Sequence, residues 1–273
     1  MQIGQVELVR NLLASLGLKQ KDIVESYEEP YTFLSLYFKD RLKAQKYLKA
    51  VKRFKLRYIS VKHKRLRDKD WKVKWQDDFK PFKLTRTITI VPAWLRNKHK
   101  TKTKHTVYIS TSSAFGSGLH STTNIMANFI ERFSGKIKTF FDVGTGTGIL
   151  GLAAAKNGAV TVDGIDIGFD AIKTAKENFA VNEIKPRLLK RIDFGNLKSR
   201  RKFGFVAANL ITHDLIRFRQ KLVSFVKPAG YLAVSGISLN NLPRCRKAFA
   251  ALPLRCLNVQ RKKGWAGILY KKN

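Results

Sequence analysis

The chain has 273 residues, 44% of them hydrophobic and 11% aromatic, which suits one large domain with a smaller one and excludes a disordered protein. Its 54 Lys+Arg against 19 Asp+Glu give a formal charge of +35, a field that attracts RNA, anionic membrane or acidic protein without selecting among them. No apolar run is long enough to span a bilayer, the first residues lack a secretory apolar core, and Cys245 and Cys256 offer neither a CxxC pair nor metal-ligand spacing.

Residues 1–65 read as a small α+β unit. Val6, Val9, Leu12, Leu13 and Leu16 recur at helical spacing, with Gly17 as a stop. Tyr31–Phe38 is apolar and aromatic enough for a strand. Ala44, Tyr47, Leu48 and Val51 mark a second helix, and Arg57–His63 a further strand. Residues 66–106 change character and read as a connector. Trp71, Trp75 and Trp94 fall in it and are expected to pack between domains, while RNKHKTKTKH, Arg96–His105, is a solvated basic loop.

From 107 to 273 strand and helix alternate. Strands are expected near 107–110, 138–143, 160–166, 186–191, 203–208 and 231–236. A hairpin follows, RCLNVQRK and WAGILYK turning at Lys263-Gly264. The order implies an α/β fold, a doubly wound, mostly parallel Rossmann-like sheet of seven strands whose last strand is antiparallel. Ligands in such sheets lie at the carboxyl ends of the strands.

One such end is FFDVGTGTGILGLAAAKNGA, Phe140–Ala159. Gly144, Gly146 and Gly148 make GxGxG, and Gly146, Gly148 and Gly151 also satisfy GxGxxG. No Lys-Ser/Thr pair follows, which excludes a P-loop, but the glycines alone leave a dinucleotide and S-adenosylmethionine both open. Asp142 favours the methyl donor, because a carboxylate suits an amino group and repels a pyrophosphate. Asp166, 18 residues past Gly148, ends the next strand, where a carboxylate accepts from ribose hydroxyls in either ligand class. Asn209, in VAANLI, follows the fourth core strand, where its carbonyl can orient a substrate amine; a turn or cap role is its alternative.

AFGSGLHSTT, Ala114–Thr123, resembles the AFGTGTHPTT segment of PrmA, the bacterial methyltransferases of ribosomal protein L-eleven. DWKVKWQDDFKPF, IVPAW, GIDI, AANLI, LAVSGI and GWAGIL fall in the same order as that family's segments. The resemblance covers roughly Asp70 to the C-terminus. It implies a class I S-adenosylmethionine-dependent methyltransferase domain at 107–273 and a substrate-recognition domain at 1–65. The implied reaction is transfer of methyl groups to amino nitrogens, lysine side chains or an N-terminal amine, of an L-eleven-like ribosomal protein in the cytoplasm. It carries over Thr123, Gly144, Asp166 and Asn209 as cofactor-binding positions, with Asn209 also the catalytic one. Asp142, Gly146 and Gly148 join them from the residues themselves. Phe115, His120 and Trp265 are further candidates for substrate contact or support, with His120 read as a hydrogen-bonding prop and not a base.

The chain also departs from the family pattern. Ser110 stands at a usual aspartate, Ser117, Leu119 and Ser121 replace Thr, Thr and Pro, and Gly168-Phe169 replaces Asp-Pro. Two alternatives stay open: an RNA amino-nitrogen methyltransferase, suggested by the charge, and a catalytically weak ribosome-associated cofactor binder. Non-specific RNA contact is expected in either case; a metal and a membrane partner are not.

Overall fold

The computed structural model describes residues 79–110 and 118–273 continuously, and before them residues 9, 12–15, 17–18, 23–28, 31–36, 38, 40–53 and 60. The chain divides into two compact units, Met1–Trp71 and Lys72–Asn273.

In the first unit β1 (Ile23–Glu28) pairs antiparallel with β2 (Tyr31–Leu36), and α1 (Arg41–Arg53) follows. Tyr47 of α1 is buried with Val9, Leu13 and Leu18, and stacks on Phe38 at 5.2 Å. β1 was not expected from the sequence, whereas β2 and α1 were. The strand expected over Arg57–His63 lies outside the described residues apart from Ser60, as do Trp71 and Trp75.

The second unit is built on a seven-stranded sheet. Its strands are β6 (Thr139–Val143), β7 (Thr161–Asp166), β8 (Leu188–Arg191), β9 (Phe203–Asn209), β10 (Val226–Ser238), β11 (Leu254–Lys262) and β12 (Trp265–Lys272). They lie in the order β11-β12-β10-β9-β6-β7-β8. Pairing is parallel from β10 through β8, while β12 runs antiparallel to both of its neighbours, β10 and β11. The last strand is therefore interior, and β11 forms the edge.

Both sheet faces are apolar because successive residues on buried parallel strands point to opposite layers. Phe140, Phe205, Ala207 and Leu269 face α2 (Ser121–Glu131) and α3 (Ile149–Lys156); Phe141, Val206, Ala208 and Ile268 face α5 (Thr212–Ser224) and α6 (Leu242–Ala250). Each layer carries an aromatic stack, Phe140 on Phe205 at 5.6 Å and Phe141 on Phe203 at 4.8 Å. Contacts of this kind contribute ~1 kcal/mol beyond area burial.

The strand expected near 107–110 needs a correction. It is β5 (His105–Ile109), and it pairs with β4 (Ile88–Pro92), which also carries β3 (Phe82–Lys83), in a separate three-stranded sheet. Its free side is covered by α4 (Phe169–Val181) and the residue after it. Asn182 accepts from Tyr108 N–H at 2.8 Å and donates to its carbonyl at 2.6 Å, and Asn178 accepts from Ser110 N–H at 2.6 Å. These two amides satisfy backbone groups that a neighbouring strand would otherwise take. Glu131 ties the small sheet to α2 by accepting from the Thr85 hydroxyl and the Thr87 amide, both at 2.7 Å, and from the Thr87 hydroxyl. Trp94, after β4, packs against Phe79 at 6.2 Å, and the loop from Arg96 to Lys100 is exposed.

Candidate active site

Strand order fixes where a ligand can enter. From β6 the chain adds β7 and β8 on one side and β9 and β10 on the other, so the order reverses between β6 and β9. Val143 pairs with both Ile165 and Ala208, which levels the ends of three strands. Asp142, Asp166 and Asn209 thus reach one end of the sheet.

The glycine loop joins β6 to α3. Gly144 and Thr145 both donate to the Ile165 carbonyl at 2.9 Å, and Gly148 donates to Thr145 at 2.8 Å. Gly144, Gly146 and Gly148 all have positive φ, 75°, 53° and 80°. Only one of the three faces open space: a Cβ at Gly146 would meet nothing within 4 Å, whereas one at Gly148 would lie 2.9 Å from Phe179. Gly146 is therefore the position where the backbone is bare toward a ligand. Asn178 holds the loop from below, donating to the Thr147 carbonyl at 2.8 Å.

Two carboxylates flank this loop. Asp166 accepts from Gly146 N–H at 2.9 Å through one oxygen and from Gly168 N–H at 2.8 Å through the other, each oxygen keeping a lone pair for a further donor. Asp142 is buried, and its Oδ2 accepts from the Thr145 hydroxyl at 2.8 Å. Its Oδ1 is buried without a hydrogen-bond partner. Burial pushes the Asp142 carboxyl up to about 7; the Thr145 hydroxyl opposes this, the Asp166 charge adds to it, and the Gly151 amide opposes it. A carboxylate buried beneath a bare loop favours a cationic donor group in its neighbourhood. A dinucleotide pyrophosphate would meet repulsion there, and the ammonium group of S-adenosylmethionine would not. The residues fit that cofactor: the loop and Asp142 toward its amino-acid end, Asp166 toward its ribose.

Across the switch point, Asn209 ends β9 and its Nδ2 donates to the Thr122 hydroxyl at 3.2 Å. That hydroxyl is 2.8 Å from His120 Nδ1. His120 is the N-cap of α2, where its Nδ1 also accepts from Thr122 N–H at 3.4 Å, and its ring meets Trp265 edge to face at 5.0 Å. Burial lowers the His120 pKa, so the imidazole is neutral at pH 7. Leu210 links the two halves. It is wedged between Gly144 and Gly236, where any side chain would collide with it, and its N–H donates to Ser235 O at 3.0 Å.

Thr123, also in the first turn of α2, is buried and donates its N–H to His120 O at 3.0 Å. Phe115 lies outside the described residues. Thr122, Thr145, Asn178 and Leu210 were not singled out from the sequence. His213 sits exposed in the first turn of α5, 3.4 Å from Asp214. Among the described residues no group of three His, Cys, Asp or Glu could hold a metal.

The sequence model of the ribosomal protein L11 methyltransferases, PrmA, matches residues 10–273. The chain belongs to this family. The ribosomal protein L11 methyltransferase of Lactobacillus gasseri is 32% identical over 217 residues, covering 77% of this chain and 67% of the relative. That of Geobacter metallireducens is 32% identical over 206 residues, covering 76% and 67%. The crystal structure of the ribosomal protein L11 methylase of Lactobacillus delbrueckii subsp. bulgaricus superposes with a TM-score of 0.64 at 29% identity, covering 71% of this chain and 97% of that one. Family membership makes the chain a methyltransferase with S-adenosylmethionine as donor. Among the described residues no helix is long and apolar enough to cross a membrane.

Proposed function

We propose that this enzyme methylates amino nitrogens, lysine side chains or an N-terminal amine, of a ribosomal protein corresponding to L11. The relatives' names support the substrate. The observation that carries the amine chemistry is the orientation of Asn209. Its N–H group is engaged by Thr122, which leaves the carbonyl oxygen as the acceptor offered to a substrate N–H.

S-adenosylmethionine supplies an electrophilic methyl group when bound. The chain's residues therefore have to align a nucleophile more than to activate one. Asn209 Oδ1 holds an amine hydrogen and so aims the nitrogen lone pair. The Thr122 hydroxyl, giving its proton to His120 Nδ1, accepts from Asn209 and keeps the amide from flipping. Trp265 holds the imidazole ring. This relay is neutral throughout and contains no strong base, so the amine arrives already deprotonated and its proton leaves to water. Residues 1–65 serve as the substrate-recognition domain and 107–273 as the catalytic domain; of the connector, 66–106, the part from Phe79 onward packs into the core of the catalytic unit; the setting is the cytoplasm.

The test is labelled methyl transfer to purified ribosomal protein, with the product digested and its modified residues read by mass spectrometry. Label on lysine or an N-terminal nitrogen is expected. Label on oxygen, or on RNA with none on protein, would sink the reading. Methylation of an RNA amino group is the second reading, favoured by the charge of +35. Against it, Asn209 is followed by Leu210 and Ile211, which offer no aromatic ring to stack an extruded base.

A further inference from the structure

All 19 acidic residues of the chain precede residue 215, and residues 215–273 hold thirteen Lys and Arg with no carboxylate side chain. Residues 41–67 and 79–130 also lack carboxylates, with twelve and eight Lys and Arg, and residues 215–273 are the longest such stretch. The structure gathers much of this stretch at one side of the second unit. Phe249 of α6 stacks on Tyr270 at 5.5 Å, and Tyr270 pairs with Cys256 of the edge strand β11, so α6 lies over the sheet edge. Arg244, Arg246 and Lys247 are exposed on α6; Arg255 and Arg261 on β11, and Lys263 in the turn, are exposed beside them.

Two structural explanations fall short. Charges on an edge strand prevent strand-to-strand aggregation, but either sign does so, and here only one is used. Basic residues favour helix C-termini, yet Arg244 stands in the first turn of α6, where no acidic residue offsets it. Arg244 and Lys247 are also like charges three residues apart. Arg244 thus works against the helix that carries it, while Lys247, in the last turn, favours it.

No large apolar side chain is exposed between 240 and 273. A protein partner would need an apolar or aromatic anchor at the centre of its footprint. The cations of β11 stand near its two ends, Arg255 at one and Arg261 and Lys262 at the other, about 20 Å apart along an extended strand, a spacing that a linear polyanion can follow. We propose that the α6–β11 edge binds the phosphodiester backbone of RNA, without reading its bases. The site does not include Asn209, Thr122 or His120 and does not depend on the role given to Asn209, although Lys263 lies two residues before Trp265.

The test is the affinity of the intact protein for a labelled RNA hairpin, measured by fluorescence anisotropy across about 50–200 mM salt, the range over which phosphate contacts declare themselves. One variant combines Arg244→Gln, Lys247→Gln, Arg261→Gln and Lys263→Asn, asparagine being chosen because Lys263 has φ 45°. A second removes the same charge from the exposed loop before β5, through Lys98→Gln, Lys100→Gln, Lys102→Gln and Lys104→Gln. The first is expected to weaken binding at least ~10-fold and to reduce the salt slope by about 3; the second leaves the slope nearly unchanged. Equal losses in both variants would mean that net charge alone binds RNA, and would overturn the proposal. So would unaltered binding in the first, or anionic vesicles binding more tightly than RNA through the same residues. A DNA hairpin bound as tightly as RNA would overturn the choice of RNA. Thermal melting and methyl transfer to free protein substrate within about twofold of wild type keep the result apart from misfolding, and Arg244/Lys247 and Arg261/Lys263 tested as separate pairs should each give about half the slope change.

Discussion

Around the glycine loop the contacts come from backbone amides and two carboxylates, whereas around Asn209 they come from neutral side chains on three elements. The first half is local: Asp142, the loop and Asp166 lie within one strand–helix–strand unit. The second is assembled over distance, with Asn209 meeting Thr122 across 87 positions and His120 meeting Trp265 across 145. A donor site can be made from backbone geometry because the cofactor is one fixed molecule. On the proposed reading, an acceptor site has to orient a nitrogen that arrives on another protein, and side chains held by one another do that.

The sharpest way to break this comparison is Asn209→Ala. It should lower the methyl-transfer rate by ~100-fold or more, the scale of a misaligned nucleophile, while calorimetric affinity for S-adenosylmethionine changes little. Equal loss of both would merge the two halves into one. Gly146→Ala is the reciprocal test. Its Cβ meets no protein atom, so the enzyme should lose ~10-fold or more in cofactor affinity and only about 1 kcal/mol of stability from its positive φ. Gly148→Ala, pressed against Phe179, should instead cost about 1–3 kcal/mol in thermal or urea unfolding.

Thr122→Val tests the relay. A fall of ~10-fold in kcat with KM and cofactor affinity held, and recovery in Thr122→Ser, is the pattern of lost orientation. The same relay predicts that kcat/KM for a lysine substrate climbs with pH from about 7 toward its pKa near 10.4, since the neutral amine reacts. A plateau near pH 6–7 would mark a histidine base.

A pH-dependent effect belongs to Asp142. In the unfolded chain it ionises near 3.8, but in the folded enzyme it keeps its proton to about 7. Its contribution to stability is therefore complete below about pH 4 and is lost as pH rises to about 7. A cationic ligand group favours the carboxylate, so cofactor binding should tighten and release a proton as pH passes about 7. Asp142→Asn should flatten both dependences in pH-resolved melting and in calorimetry across buffers of different ionisation enthalpy.

The parallel sheet was legible because its strands are continuous apolar runs spaced by helices, and GxGxG at a strand end announces a bare turn. What the sequence does not show depends on side chains reaching over long intervals. The strand at His105–Ile109 looks like any sheet strand; only Asn178 and Asn182, one helical turn apart, cap its outer side. Of the paired hydroxyls Thr122 and Thr123, the resemblance drew attention to the second. Which one meets Asn209 follows from where α2 begins, at Ser121, and helix starts are set by cap geometry. β1, IVESYE, carries two glutamates among its six residues and gave no apolar run to follow.

The interior place of β12 has a consequence for the order in which the enzyme is made. During synthesis β6 through β10 can pair as they emerge, so the glycine loop and both aspartates can take shape early. β10 must then wait with an open side, because its partner is residues 265–272 and the edge strand synthesised before them pairs only with that partner. Trp265 arrives with this strand. A nascent chain can therefore possess its donor half before its acceptor half, and the last strand to be threaded is the one that makes the site whole.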